Sequence, residues 1–442
     1  MLSRAAAAAA SPPLPLTLLS FSLSLSLLAA LQLVTSPVAT ALFHEQVAFD
    51  NSDVCWWSLI PPDLSCPVLR QQNLTDIVNS LVGPPRWTGG DHCVGTYCLY
   101  HSTGFAGGRG IAAITTPDNI AKVKEVGDLL HQFEVSFNKN DDADLPFRIA
   151  EIEGKGNGVV ANKPLSRGDP VMAHTPVLLI HQAFKEEPEQ DRQHELLDLA
   201  LESLPDQTAD LFMGQMAHNP DEHPVAARLT TNAFRLDLGG ADGQHYGAFP
   251  EVGKTNHDCR PNAAYYVDQS TLMHITTAVR PVAAGEEITI TYLDPLAPRA
   301  DRQERARSHW GFGCTCPRCG AAADDVAASD TRVKELRWIE GQLQDLTNTS
   351  NDISVGLITY LLKLYEDERL HCRIANAYIL AALNFNVLGY DQRAVKYATL
   401  AIDALKIEKG EGSSHIEAME ELKRDPKGHP TFKGRGQKGG GK

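Results

Sequence analysis

A chain of 442 residues has room for two or three domains, and 43% hydrophobic with 21% charged residues is the balance of a folded globular protein. Its 40 basic residues stand against 55 acidic ones, and the net charge of −15 argues against strong nucleic-acid binding by the folded body. That charge suits a basic peptide partner only weakly, because a local acidic block at residues 185–210 (Glu186, Glu187, Glu189, Asp191, Glu195) reads as an exposed helical face.

The chain opens as a targeting segment would. Arg4 is the only charge before His44 and Glu45, residues 14–34 are apolar and leucine-rich, and Ala39-Thr40-Ala41 fits a small-x-small cleavage pattern. Residues 1–41 are therefore expected to be a secretory signal. An uncleaved membrane anchor is the alternative, and a falsely assigned start, which would leave the protein in nucleus or cytoplasm, is the third. Residues 42–146 read as an irregular region carrying Cys55, Cys66, Cys93 and Cys98 among Trp, Pro and Gly, which suits a disulfide framework of undetermined pairing. Within it, Gly104 to Gly110 reads as a loop and Pro117 to Phe137 as one amphipathic helix.

From Phe147 short strands alternate with turns: Arg148–Ile152, Val159–Lys163, Val171–His174 and Val177–His181. Glu195 to Met216 reads as helix broken near Pro205. Strands resume at Asn232–Asp237, Ala263–Val267, Met273–Ala278 and Ile288–Tyr292. Regular crossover helices are missing, so a parallel sheet is excluded and residues 147–320 are expected to form an irregular β-fold with a helical insertion. After Gly320 the pattern is helical, at Val333–Leu346, Ile353–Leu370, Cys372–Leu388 and Gln392–Lys406, with small residues reminiscent of a degenerate tetratricopeptide hairpin. The fold class is α+β over residues 147–320, then an all-α domain over 321–422. Residues 423–442, basic and glycine-rich, read as a disordered tail.

Two pieces carry chemistry. One is Asn256-His257-Asp258-Cys259-Arg260-Pro261-Asn262, the other Trp310-Gly311-Phe312-Gly313-Cys314-Thr315-Cys316-Pro317-Arg318-Cys319. Thiols at C-x-C-x-x-C spacing can meet one Zn2+ at roughly 2.3 Å. Cys314, Cys316 and Cys319 lack a fourth ligand; Cys259 is favoured, with His309 and Cys372 as rivals. A four-cysteine site has no open position and is structural. Gly154-Lys155-Gly156-Asn157-Gly158 lies between two strands and lets backbone approach a ligand or merely turns; no helix follows it, which removes the dinucleotide-loop reading. Tyr292 ends Gly285-Glu286-Glu287-Ile288-Thr289-Ile290-Thr291-Tyr292, where a packing role is the plain reading.

In order, GKGNG, TNAF (Thr231 to Phe234), NHDCRPN, GEEITITYLD and WGFGCTCPRC resemble the SET-domain protein-lysine methyltransferases. The resemblance is closest to the SET-and-MYND subclass and related fungal SET proteins, without a MYND cysteine–histidine cluster. It implies a site for S-adenosyl-L-methionine. Lys155 and Asn157 would meet the methionine end of the cofactor; Asn232, Asn256 and His257 would hold its carboxylate, amine and adenine. Phe312 would stack on adenine, Trp310 would line the lysine channel or the cofactor pocket, and Tyr292 would be the catalytic tyrosine. Cys259, Cys314, Cys316 and Cys319 match the family's zinc ligands. The implied function is methyl transfer to an exposed lysine of a histone or other protein by a monomeric enzyme; the alternative is an inactive, zinc-stabilised scaffold. The family's frequent NHSC is NHDC here, with an added charge at Asp258.

Overall fold

The computed structural model describes residues 85–132, 145–346 and 353–434. The expected signal segment, Cys55, Cys66 and residues 435–442 lie outside these.

The first described stretch corrects the expectation of an irregular region. Strands β1 (Thr88–Val94), β2 (Tyr97–Ser102) and β3 (Ile111–Thr115) precede helix α1 (Pro117–Gln132). Then come β4 (Phe147–Ile152), β5 (Gly156–Ala161), β6 (Pro170–His174) and β7 (Leu178–His181). Helices α2 (Gln190–Glu202), α3 (Asp206–Met213) and α4 (Pro224–Asn232) form an insertion before β8 (Phe234–Asp237) and β9 (Gln244–Ala248). Strands β10 (Ala263–Val267), β11 (His274–Ala278) and β12 (Glu287–Ile288) complete the β-rich region.

These strands make three small sheets, ordered β1-β2-β3-β7-β9-β8, β10-β11-β6 and β12-β5-β4. In the first, β3 runs parallel to β7, pairing Ala112 with Leu178 and Ile114 with Ile180. Half of that sheet therefore comes from residues ahead of the boundary expected at Phe147. Glycines and polar residues in β1 and β2 weaken their local strand signal; pairing of β1 with β2 and of β2 with the wholly buried β3 supplies what propensity does not. Cys93 and Cys98 face each other across the β1–β2 hairpin and form a disulfide. The loop after β2 is anchored by Arg109, whose guanidinium makes 2.6 and 2.7 Å bonds to the two Glu251 oxygens. Burial alone would raise the Glu251 carboxyl, but His174 and Arg109 outweigh it and hold it down to about 2.

After helix α5 (Arg299–Trp310) the chain is all helical: α6 (Ala323–Gln344), α7 (Val355–Asp367), α8 (Ile374–Val387), α9 (Asp391–Lys409) and α10 (Ser414–Arg424). Buried alanines at 377, 381, 398 and 401 let α8 and α9 approach closely, while Leu336, Leu361, Leu380, Phe385 and Leu405 fill the spaces between helices. Residues beyond Arg424 turn back on α8, where Asn386 bonds Thr431 and the Lys433 amide. The expected free tail thus does not begin at 423. No helix among the described residues is long and apolar enough to cross a membrane.

Glu408 on α9 is buried and accepts from the Ala375 amide at the start of α8. Burial pushes its carboxyl up to about 7. The folded protein then keeps a proton that the unfolded chain releases, so this contribution to stability is full below pH 4.5 and is lost as pH rises towards 7. Glu408→Gln keeps the acceptor and removes the charge. It is expected to stabilise the fold at pH 8 by about 2–3 kcal/mol, seen as a higher melting temperature, and to change little at pH 4. Thermal unfolding at the two pH values measures the difference.

Candidate functional site

The two motifs singled out in the sequence meet at one place. The NHDC segment is bridged to the chain that follows β12: the Ile290 amide donates to the Asn256 carbonyl at 3.1 Å, and the Asp258 amide donates to the Ile290 carbonyl at 3.0 Å. This fixes Asn256 and Asp258 on one side of the backbone and His257 on the other, facing Tyr292. The Tyr292 amide donates to His257 Nδ1 at 3.0 Å, which leaves the proton on Nε2, 3.3 Å from Cys259 Sγ. Burial holds this imidazole neutral, its pKa pushed down to about 4.

Asn256 faces the glycine turn. Its Nδ2 donates to the Asn157 carbonyl at 3.1 Å and to Glu287 Oε1 at 2.9 Å, while Lys155 Nζ pairs with Glu287 Oε2 at 2.6 Å. Glu287 was not singled out in the sequence, although it stands in the GEEITITYLD motif. It holds together the turn and the NHDC segment. Gly158 is required here because a side chain would lie 2.8 Å from Asn256 Nδ2 and 2.5 Å from the Ile152 side chain.

Helix α5 ends in Trp310, and Gly311 caps it in the left-handed conformation that glycine takes without cost. The chain then turns so that Phe312 faces the NHDC segment. Ring centroids of Tyr292 lie 5.3 Å from Trp310 and 6.4 Å from Phe312; His257 is 5.3 Å from Tyr292 and 6.0 Å from Phe312. Trp310 Nε1 donates to the Thr231 carbonyl at 3.0 Å, joining this aromatic group to the end of α4, where Asn232 sits. Asn232 Nδ2 is spent on the Met216 and Arg228 carbonyls, at 2.7 and 2.9 Å. The Tyr292 hydroxyl donates to the Thr255 carbonyl at 2.6 Å. Burial, with the Glu287 charge behind it, pushes the phenol above its usual range, so it keeps its proton at neutral pH.

The four thiols Cys259, Cys314, Cys316 and Cys319 are buried together, with all Sγ atoms within 4.8 Å of one another. Cys259 Sγ is 3.6 Å from Cys319 and 3.9 Å from Cys314. Tetrahedral bonds of roughly 2.3 Å demand edges of about 3.8 Å, so the cluster could hold zinc. The rivals are elsewhere: His309 packs on Trp310, and Cys372 is half-buried in the turn before α8. Arg302, only 1% exposed, reaches Cys319 Sγ at 3.9 Å; burial works against its charge, yet Cys259 and Cys319 raise its pKa, the pairing expected of thiolates.

Asp258 caps a turn by accepting from the Arg260 amide at 2.8 Å, which a serine at this position could also do. Arg260 then ties the site to the helical region. It donates to the Cys259 and Pro295 carbonyls and, at 2.6 Å, to Glu368 at the end of α7. Glu368 is fully buried and also takes Arg332 and Ser329, with Arg318 at 3.7 Å. Nothing in the sequence pointed to Glu368, because its partners lie from 36 to 108 residues away.

Three small sheets, a motif segment bridged to the chain after β12 and a buried four-thiol cluster define a class, and residues 156–293 match the SET domain family. The chain is a SET domain protein, with an all-helical region following the β-rich one. Its relatives are protein-lysine methyltransferases at modest identity. The histone-lysine N-methyltransferase set5 of Schizosaccharomyces pombe is 24% identical over 291 residues, which cover 65% of this chain and 86% of that protein. Histone-lysine N-methyltransferase Smyd1 of Mus musculus is 26% identical over 295 residues, 60% of this chain and 57% of that one. Mouse SMYD3 is 33% identical over 135 residues, 30% and 31% of the two chains. The chain thus spans most of the fission-yeast relative and only parts of the mouse ones.

Proposed function

We propose that this protein is an S-adenosyl-L-methionine-dependent protein-lysine N-methyltransferase with a structural zinc at Cys259, Cys314, Cys316 and Cys319. The observation that carries the reading is the convergence of the glycine turn, the NHDC segment, Tyr292 and the Trp310–Phe312 segment on one another, every motif in contact with the next. The cofactor supplies a methyl group on a sulfonium. Lys155 and Asn157 hold its methionine end; Asn232, Asn256 and His257 take its polar groups, and Phe312 covers the adenine. Trp310 and Tyr292 border the lysine path. A desolvated channel would favour the neutral amine, whose lone pair would attack the methyl carbon in line as the carbon–sulfur bond breaks, releasing S-adenosyl-L-homocysteine; the alkylammonium product would then lose its proton to solvent. Tyr292 orients the amine and faces the charge that spreads in the transition state. The relatives whose names specify a substrate are histone-lysine methyltransferases, and the protein substrate proposed here is an exposed lysine of a histone or another protein.

Titration calorimetry of S-adenosyl-L-methionine into the purified chain, with zinc determined on the same sample, tests the reading. Saturable 1:1 binding with one zinc per chain is expected. Zinc without cofactor binding would favour a zinc-stabilised scaffold instead.

A further inference from the structure

Gln215 sits just after α3 and is 6% exposed, yet neither Nε2 nor Oε1 of its carboxamide has a hydrogen-bond partner in the protein. A buried primary amide without partners costs of the order of 1–3 kcal/mol, a cost that a hydrogen-bonding ligand would remove. The amide is aimed at a definite place. Gly253 makes room for it: a side-chain carbon there would lie 2.3 Å from Gln215 Nε2 and 3.6 Å from Asn232 Oδ1. Two residues further on, Thr255 is 1% exposed and its Oγ1 is also unpartnered, while its carbonyl receives the Tyr292 hydroxyl. The Gln215 amide against Gly253 and the Thr255 hydroxyl thus leave unmatched buried polar atoms at the segment that leads directly into Asn256, with Asn232 beside them.

We infer that Gln215 is a cofactor-binding residue, its carboxamide taking the ribose hydroxyls of S-adenosyl-L-methionine. The inference rests on the function proposed above. A neutral amide with one donor face and one acceptor face matches a neutral group that both donates and accepts. The charged methionine end is served by Lys155 and Asn256, and the adenine ring by Phe312 and His257, so the diol is the part of the cofactor left for Gln215. Gly253 is then glycine because the amide must pass it.

The test uses the full chain and two ligands, S-adenosylhomocysteine and its 2′,3′-dideoxy analogue, titrated into wild type and Gln215→Leu. Wild type is expected to bind the parent compound about tenfold tighter than the dideoxy analogue, and Gln215→Leu to bind both alike, at the weaker level. The ligand-free variant is expected to melt no lower than wild type, because leucine removes an orphaned buried amide of similar volume. A purely structural glutamine would give the opposite, a lower melting temperature with the preference for hydroxyls intact, and that result overturns the inference. Equal weakening of both ligands overturns it as well. Wild-type protein that binds neither ligand overturns the methyltransferase reading itself, and this inference with it.

Discussion

Replacing Tyr292 by phenylalanine is expected to lower methyl transfer by about two to three orders of magnitude, the usual cost of removing one preorganised donor from a site where charge develops. Binding of S-adenosyl-L-methionine should change by less than a few fold, and zinc content not at all. The separation follows from the geometry. What Tyr292 gives the fold is its backbone amide, bonded to His257, and its ring, packed on Trp310 and Phe312. Phenylalanine keeps all three. What it removes is a single hydroxyl, buried, protonated and fixed on the Thr255 carbonyl. The plain reading of a tyrosine at a strand end is packing with a solvated hydroxyl, and a variant with full activity would restore that reading. Single-turnover rates at saturating cofactor, beside calorimetric affinities, distinguish the two. Loss of affinity and rate in equal measure would instead mean that Tyr292 holds the cofactor.

The sequence was most legible where chemistry constrains spacing. The C-x-C-x-x-C run and Cys259 were read as one cluster fifty-five residues apart, and the structure brings all four thiols together. The helices after Gly320 were legible because apolar residues recur at helical spacing over four long segments, and strands β10 and β11 because β-branched and aromatic residues alternate between turns. The last strand was overextended: beyond Ile288 the ladder gives way to a bridge between His257 and Ile290, so residues that looked like strand instead brace the NHDC segment. What stayed hidden depends on distance along the chain. β1 to β3 carry glycine, histidine and alanine, and become strands because β3 finds β7 some sixty residues later. Helix α5, with Arg299, Asp301, Arg302, Glu304, Arg305 and Arg307, has too few apolar positions to show a stripe; it exists to carry Arg302 and Gln303 to the thiol cluster and Trp310 to the aromatic group. Glu368, Glu287 and Gln215 have no motif of their own and acquire meaning only from their neighbours in space.

The second large effect concerns the metal. Changing Cys316 to serine is expected to abolish stoichiometric zinc and, with it, cofactor binding, although Cys316 is assigned no contact with the cofactor. Structural zinc sites in small modules contribute on the order of 10 kcal/mol to folding, and here nothing else of that size holds the segment after α5. Gln303 makes two bonds to the Cys314 backbone and Arg299 one to the Cys319 carbonyl, but hydrogen bonds of this kind are worth about 1 kcal/mol each. Without metal, four thiols buried within 4.8 Å either repel as thiolates or stay protonated beside the cationic Arg302, and either state loosens Phe312 and Trp310. The disturbance reaches His257 through its 3.3 Å bond to Cys259, and from His257 the Tyr292 amide. The helical region limits the damage: Arg260, clamped by the buried Glu368, keeps the NHDC backbone in place from the other side. Cys316→Ser should therefore retain the helical signal of α6 to α10 in far-ultraviolet circular dichroism, lose the near-ultraviolet signal of its tryptophan and tyrosine cluster, and show no heat on titration with cofactor. A variant that bound cofactor normally without zinc would mean that the aromatic segment is held by its own packing and that the four-cysteine cluster is dispensable for the site.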